Sequence, residues 1–187
     1  MKSNKLIKKK FLDVKKVKLK LFKDHRGEFN KVYSKKLFSF LKKKSFLKEV
    51  NYCFTKKRGT IRGMHFQFGS FKEDKIVTCL KGEIFDVVID LRKKSKSFMS
   101  YKTFLLNEKS NHSLFIPKGF AHGYQSITDN TIVLYLMSAN FAPKYSTGIN
   151  PLSKLLNIKW PINKKIIAIK DKNLPHLTSN FRSEEHT

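Results

Sequence analysis

Along most of the chain, apolar and polar residues alternate in short runs that Gly, Pro or Asn-Asp interrupts. From Val17 the sequence Val-Lys-Leu-Lys-Leu-Phe reads as a strand with one wet face. It ends at the turn signal Asp24-His25-Arg26-Gly27, and 28–33 reads as another strand. Residues 35–47 mix lysine and apolar residues at rough helical spacing, which predicts a solvated surface helix or a long loop. Strands are then expected at 51–55, 60–68, 75–80, 83–91, 100–106, 113–116, 120–127 and 131–138. Lys81-Gly82 between two of them predicts a tight hairpin. Short strands at even spacing predict an all-β sandwich or small barrel, and no long amphipathic helix is present to cover a parallel sheet. After Pro143 the pattern loosens, and the run Ile166-Ile167-Ala168-Ile169 predicts a C-terminal segment packed back on the barrel, with a loose end from Ser183.

With 187 residues, 40% of them hydrophobic, the chain can bury a proper core in one domain, spanning about 17–175, without disulfides. Cys53 and Cys79 lack CxxC spacing, so a reducing cytoplasm is expected. Lysines interrupt the apolar residues of the basic N-terminus, so neither a signal segment nor a membrane span is expected. A net charge of +26 invites a nucleic-acid reading, but only 5 of the 40 basic residues are arginine and no DNA- or RNA-reading motif occurs. A genome-wide bias toward Lys, Asn, Ile and Phe codons accounts for the charge as well as a polyanion does, and nucleic acid is not the expected partner. In such a chain the remaining arginines mark places that need a planar fork, and Arg26 and Arg62 are two of them.

The densest chemistry lies in Arg62-Gly63-Met64-His65-Phe66-Gln67. Strict alternation puts Gly63, His65 and Gln67 on one face and Met64, Phe66 and Phe68 on the other, as for a wall with a wet front and a packed back. It also puts Arg62 on the wrong side, so either the strand kinks at Gly63 or Arg62 lies at its mouth.

That stretch, with Lys75-Ile76-Val77, Gly82-Glu83-Ile84-Phe85-Asp86-Val87, Asp90-Leu91-Arg92, Phe115-Ile116-Pro117-Lys118-Gly119-Phe120-Ala121-His122-Gly123, Tyr135, Trp160-Pro161 and Lys170-Asp171, resembles the dTDP-4-dehydrorhamnose 3,5-epimerase family. The resemblance implies a cupin-type jelly roll, a homodimer and no metal or other cofactor. It also implies epimerisation at C3 and C5 of a nucleotide-linked 4-keto-6-deoxyhexose. A carbon beside a ketone is weakly acidic, so inversion there needs a base on one face, a proton donor on the other and a group to hold the enolate oxygen. By the resemblance His65 is the base, Asp171 the carboxylate behind it, Tyr135 the proton donor and Lys75 the cation at the enolate. Arg26, Phe29, Glu49, Asn51, Arg62, His122, Phe141 and Lys170 are expected around the nucleotide sugar. Without the resemblance, Asp171 would read as a surface residue of a lysine-rich tail, and Tyr135 as an ordinary strand aromatic.

The chain departs from the family's pattern where Phe141 replaces a tyrosine, Ser146 a glutamate, Lys31 an acidic residue and Glu49 a glutamine. Those positions ring the substrate, so they bear on which sugar is taken and how many centres are inverted. A single-site epimerase or ketoisomerase therefore stands beside the double epimerase. A metal-dependent cupin oxygenase would need clustered ligands, whereas neither His65 nor His122 has a histidine two residues away. A non-catalytic sugar- or polyanion-binding barrel is the remaining alternative.

Overall fold

The structure, a computed structural model, describes residues 13–41, 46–179 and 181; the basic N-terminal arm and the end from Ser183 lie outside them. In chain order the strands are β1 (Lys15–Lys18), β2 (Lys20–Asp24), β3 (Gly27–Lys31), β4 (Glu49–Thr55), β5 (Thr60–Gln67), β6 (Lys75–Lys81), β7 (Glu83–Asp90), β8 (Tyr101–Asn107), β9 (His112–Ile116), β10 (Phe120–Ser126), β11 (Thr131–Met137), β12 (Ser146–Gly148) and β13 (Ile166–Ile167). One short helix, α1 (Ile169–Lys172), follows. β1-β9-β6-β11-β4 form one sheet and β12-β5-β10-β7-β8 the other, with β13 joining β5 in parallel and every other pairing antiparallel. The fold is all-β, two sheets closed face to face as a jelly roll.

Alternation along the strands makes three apolar layers. Between the sheets, Val77, Cys79, Leu114 and Val133 meet Ile84, Val88, Leu106 and Tyr124. Behind the second sheet, Met64, Phe66, Val87, Ile89 and Leu91 pack under Ile149, Leu156, Trp160, Ile167 and Leu177 from the C-terminal segment. Behind the first, Ile76, Phe115 and Leu136 are covered by Phe38 and Phe46. Burial on both faces explains why β6 and β7 read as nearly continuous apolar runs.

Three expectations are corrected. The strand predicted from Val17 is two, because the chain breaks at buried Leu19; β1 pairs with β9 whereas β2 pairs with β3. The turn at Lys81-Gly82 does not close a hairpin: β6 and β7 lie in different sheets, and Gly82, at φ +76°, carries the chain from one to the other. The described part of 35–47 follows the loop alternative, with turns and no helix, but it is not simply solvated, since Phe38 and Phe46 are buried.

Candidate active site

β5 and β10 form one wall of a cavity of about 680 Å³, β4, β6 and β11 the facing wall, and α1 its rim; Glu49, Asn51, Arg62, His65, Lys75, His122, Tyr135, Phe141, Lys170 and Asp171 are among its lining residues. The sequence puzzle at Arg62 is resolved by a bulge. His122 on β10 pairs with His65, but Tyr124 pairs with Arg62, so two steps along β10 answer to three along β5. The extra residue turns Arg62 to the same face as His65. Gly63 sits in this bulge at φ +112°, and a Cβ there would lie 2.6 Å from the His122 carbonyl oxygen. Only glycine fits both the backbone angle and the close approach.

His65 Nε2 lies 2.8 Å from Asp171 Oδ1, and the backbone N–H of Gly63 donates to Oδ2 at 3.1 Å. A carboxylate only accepts, so in the neutral ring the proton belongs on Nε2 and the lone pair on Nδ1. The His65 side chain is 41% exposed and that of Asp171 only 4%, so the imidazole is open to the cavity while its partner is sealed behind it. Burial pushes the Asp171 carboxyl up, but the hydrogen bond and charge of His65, the Gly63 N–H and the charge of Lys170 together hold it below its ordinary range. Asp171 is therefore an anion at neutral pH. It comes to the site because β13 runs beside β5 and α1 follows directly.

Beside this pair stands a second one, His122 Nε2 to Asp86 Oδ2 at 2.7 Å, with both side chains buried. The His122 ring meets Tyr135 edge-on, with centroids 5.9 Å apart. Tyr135 belongs to the opposite sheet, so it enters the cavity from the wall facing His65. Its phenol is held well above its ordinary value of 10.0, first by burial and then by Tyr124, Cys53 and Asp86, against the charge of Arg62. It thus stays protonated and able to donate. Lys75, also on that wall, reaches across to donate to the His65 carbonyl oxygen at 3.2 Å and pairs with Glu73 Oε1 at 2.9 Å.

The rim is tied together by polar side chains. Glu49 accepts from the Phe141 N–H at 2.6 Å and from Asn51 Nδ2 at 3.2 Å. Arg62 donates through Nε to Thr55 at 3.1 Å and through Nη2 to the Phe54 carbonyl at 3.2 Å, which holds its fork at the cavity edge. Gln67 binds the backbone of Asn140 and Ala142, fixing the loop that presents Phe141. Ser146 and Lys170 complete this side, while Lys31 lies exposed on β3.

Arg26 and Phe29, expected at the substrate, do not line the cavity of their own chain. They sit on the β2–β3 hairpin, where Phe29 is 65% exposed and Arg26 pairs with Asp24 at 2.7 Å. The sequence reading missed Glu73, Asp86 as the partner of His122, and Gln67 as an anchor for the loop. A faint signal for Glu73 existed: two consecutive acidic residues, Glu73-Asp74, just before Lys75 are unusual in a chain with 14 acidic residues against 40 basic ones. Among the described residues no group of three or more His, Cys, Asp and Glu is arranged to hold a metal ion, and no helix is long and apolar enough to cross a membrane.

Comparison with known proteins points the same way. A family model described as dTDP-4-dehydrorhamnose 3,5-epimerase matches residues 8–179. The dTDP-4-dehydrorhamnose 3,5-epimerase of Shigella flexneri is 33% identical over 156 residues, 82% of this chain and 85% of that protein. The crystal structure of the dTDP-4-dehydrorhamnose 3,5-epimerase of Bacillus anthracis, with TDP and PPi bound, superposes with TM-score 0.85 at 34% identity, covering 91% of this chain and 98% of that one. A 3′-monoepimerase from Streptomyces bikiniensis, in complex with dTDP-quinovose, superposes with TM-score 0.81 at 26% identity, covering 88% of this chain and 83% of that one.

Proposed function

The chain belongs to the dTDP-4-dehydrorhamnose 3,5-epimerase family, and from that premise we propose that it is an isomerase inverting C3 and C5 of a nucleotide-linked 4-keto-6-deoxyhexose. The conversion is dTDP-4-dehydro-6-deoxyglucose to dTDP-4-dehydrorhamnose. The observation that carries the reading is the His65–Asp171 contact at 2.8 Å, which leaves Nδ1 as a base on one wall of a cavity whose opposite wall carries a protonated Tyr135. His65 Nδ1 takes the proton from the carbon beside the ketone, and Asp171 steadies the resulting imidazolium. The electron pair moves onto the ketone oxygen, where the Lys75 ammonium opposes the charge. Tyr135 returns a proton to the other face of the carbon, inverting it; His65 then releases its proton to solvent, Tyr135 regains one, and the steps repeat at the second carbon. Arg62, Asn51 and Lys170 suit the diphosphate and sugar, His122 borders the ring, and Phe141 offers a stacking face for the base.

A homodimer belongs to the same proposal. Val50, Tyr52 and Phe54 form an exposed apolar row on β4, a sheet-edge strand, and Tyr52 is 74% exposed. A second copy covering that row, with its hairpin bringing Arg26 and Phe29 to this chain's nucleotide site, gives both features a use. The cytoplasm, where nucleotide sugars are made, is the proposed location. Single-centre epimerisation is the second reading, favoured by Ser146 and Phe141 at the rim and by the likeness to the 3′-monoepimerase. Turnover in deuterated water separates the two: label entering at both C3 and C5 supports the double epimerase, and label at one carbon alone refutes it.

A further inference from the structure

Lys75 is held by a residue outside the acid–base set. Its Nζ donates to the His65 carbonyl oxygen at 3.2 Å and to Glu73 Oε1 at 2.9 Å, and both members of the ion pair are buried. An ammonium has three donors in fixed tetrahedral directions, so two anchors settle the third, and here Lys75 and Glu73 both line the cavity. Glu73 Oε2 is buried and has no hydrogen-bond partner among the described residues. A carboxylate placed only to strengthen the fold would be expected to use both oxygens, because an unsatisfied buried oxygen costs stability. This one directs a single oxygen at Lys75.

We infer that Glu73 is a positioning residue for the epimerisation, which fixes the Lys75 ammonium so that its remaining N–H meets the enolate oxygen as charge develops there. The inference rests on the proposed role of Lys75. Because the enolate exists only along the reaction path, Glu73 acts on kcat and hardly on KM. It acts through Lys75 alone, so its effect disappears when Lys75 is gone.

The test is a double-mutant cycle of Glu73→Ala and Lys75→Met, read as kcat and KM for epimerisation, with deuterium wash-in and melting temperature alongside. Glu73→Ala lowers kcat about tenfold or more with KM within about threefold, and costs nothing further in the Lys75→Met background. Glu73→Gln, which keeps an acceptor at the same reach, stays within about threefold of the parent. Glu73→Asp, which keeps the charge but shortens the reach, falls between the two and carries the test if the alanine variant does not fold. The inference is overturned if kcat is insensitive to Glu73→Ala and Glu73→Asp at an unchanged melting temperature, or if Glu73→Ala costs as much without Lys75 as with it. A Lys75→Met variant with undiminished kcat would instead remove the role assigned to Lys75.

Discussion

Two histidine–aspartate pairs sit side by side on neighbouring strands, His65–Asp171 and His122–Asp86, with His65 and His122 directly opposed in the β5–β10 register. Their hydrogen bonds are almost equally long, at 2.8 Å and 2.7 Å, yet the His65 side chain is 41% exposed and that of His122 only 4%. A base must touch the carbon it deprotonates, so access, more than the bond to the carboxylate, suits His65 rather than His122 to the proposed role. The second pair is buried in the cavity wall, with Asp86 Oδ1 unpartnered among the described residues, and its ring supports the Tyr135 edge.

The most direct way to break this contrast is to disrupt each pair in turn. His65→Asn is expected to lower kcat by roughly a thousandfold or more while the melting temperature falls by only about a few degrees, because the Gly63 N–H still holds the Asp171 carboxylate. A loss of only a few fold would give the chemistry to the other pair. Asp171→Asn should cost about a hundredfold in kcat, since an amide can donate to the ring and favour the wrong tautomer. Asp86→Asn should reverse the pattern, with urea unfolding reporting a loss of about 2 kcal/mol, the scale for disturbing a buried hydrogen-bonded pair, and kcat falling by less than about tenfold.

The smallest effect is in pH. The folded Asp171 carboxyl lies below its ordinary 3.8, so its contact with His65 stabilises the fold above that value. The contribution is lost as pH falls through 3.8 toward the folded value. Urea midpoints measured between about pH 5 and pH 3 should therefore fall less steeply in Asp171→Asn than in the parent.

What could be read in advance followed what is local. Alternation located most of the strands and the wet face of β5, and the scarcity of arginine drew attention to Arg62. Pairing partners were not local. Lys81-Gly82 has the chemistry of a reversal, but nothing in it states whether the next strand joins the same sheet or crosses to the other. The bulge that turns Arg62 inward depends on how β5 meets β10, so the sequence could pose that conflict but not choose its solution. Asp171 stands 106 residues from His65, and only the family resemblance linked them. Glu73 escaped because a loop carboxylate among lysines looks like a solvated surface group until its burial is known.

The route by which Asp171 reaches His65 has a consequence for biosynthesis. The residues that build the barrel walls leave the ribosome well before the stretch carrying β13 and α1, so a nascent chain can lay down its sheets while its imidazole still lacks a counter-ion. Until Ile167 docks into the layer it shares with Trp160, the assembled sheets still lack the carboxylate proposed to sit behind the base.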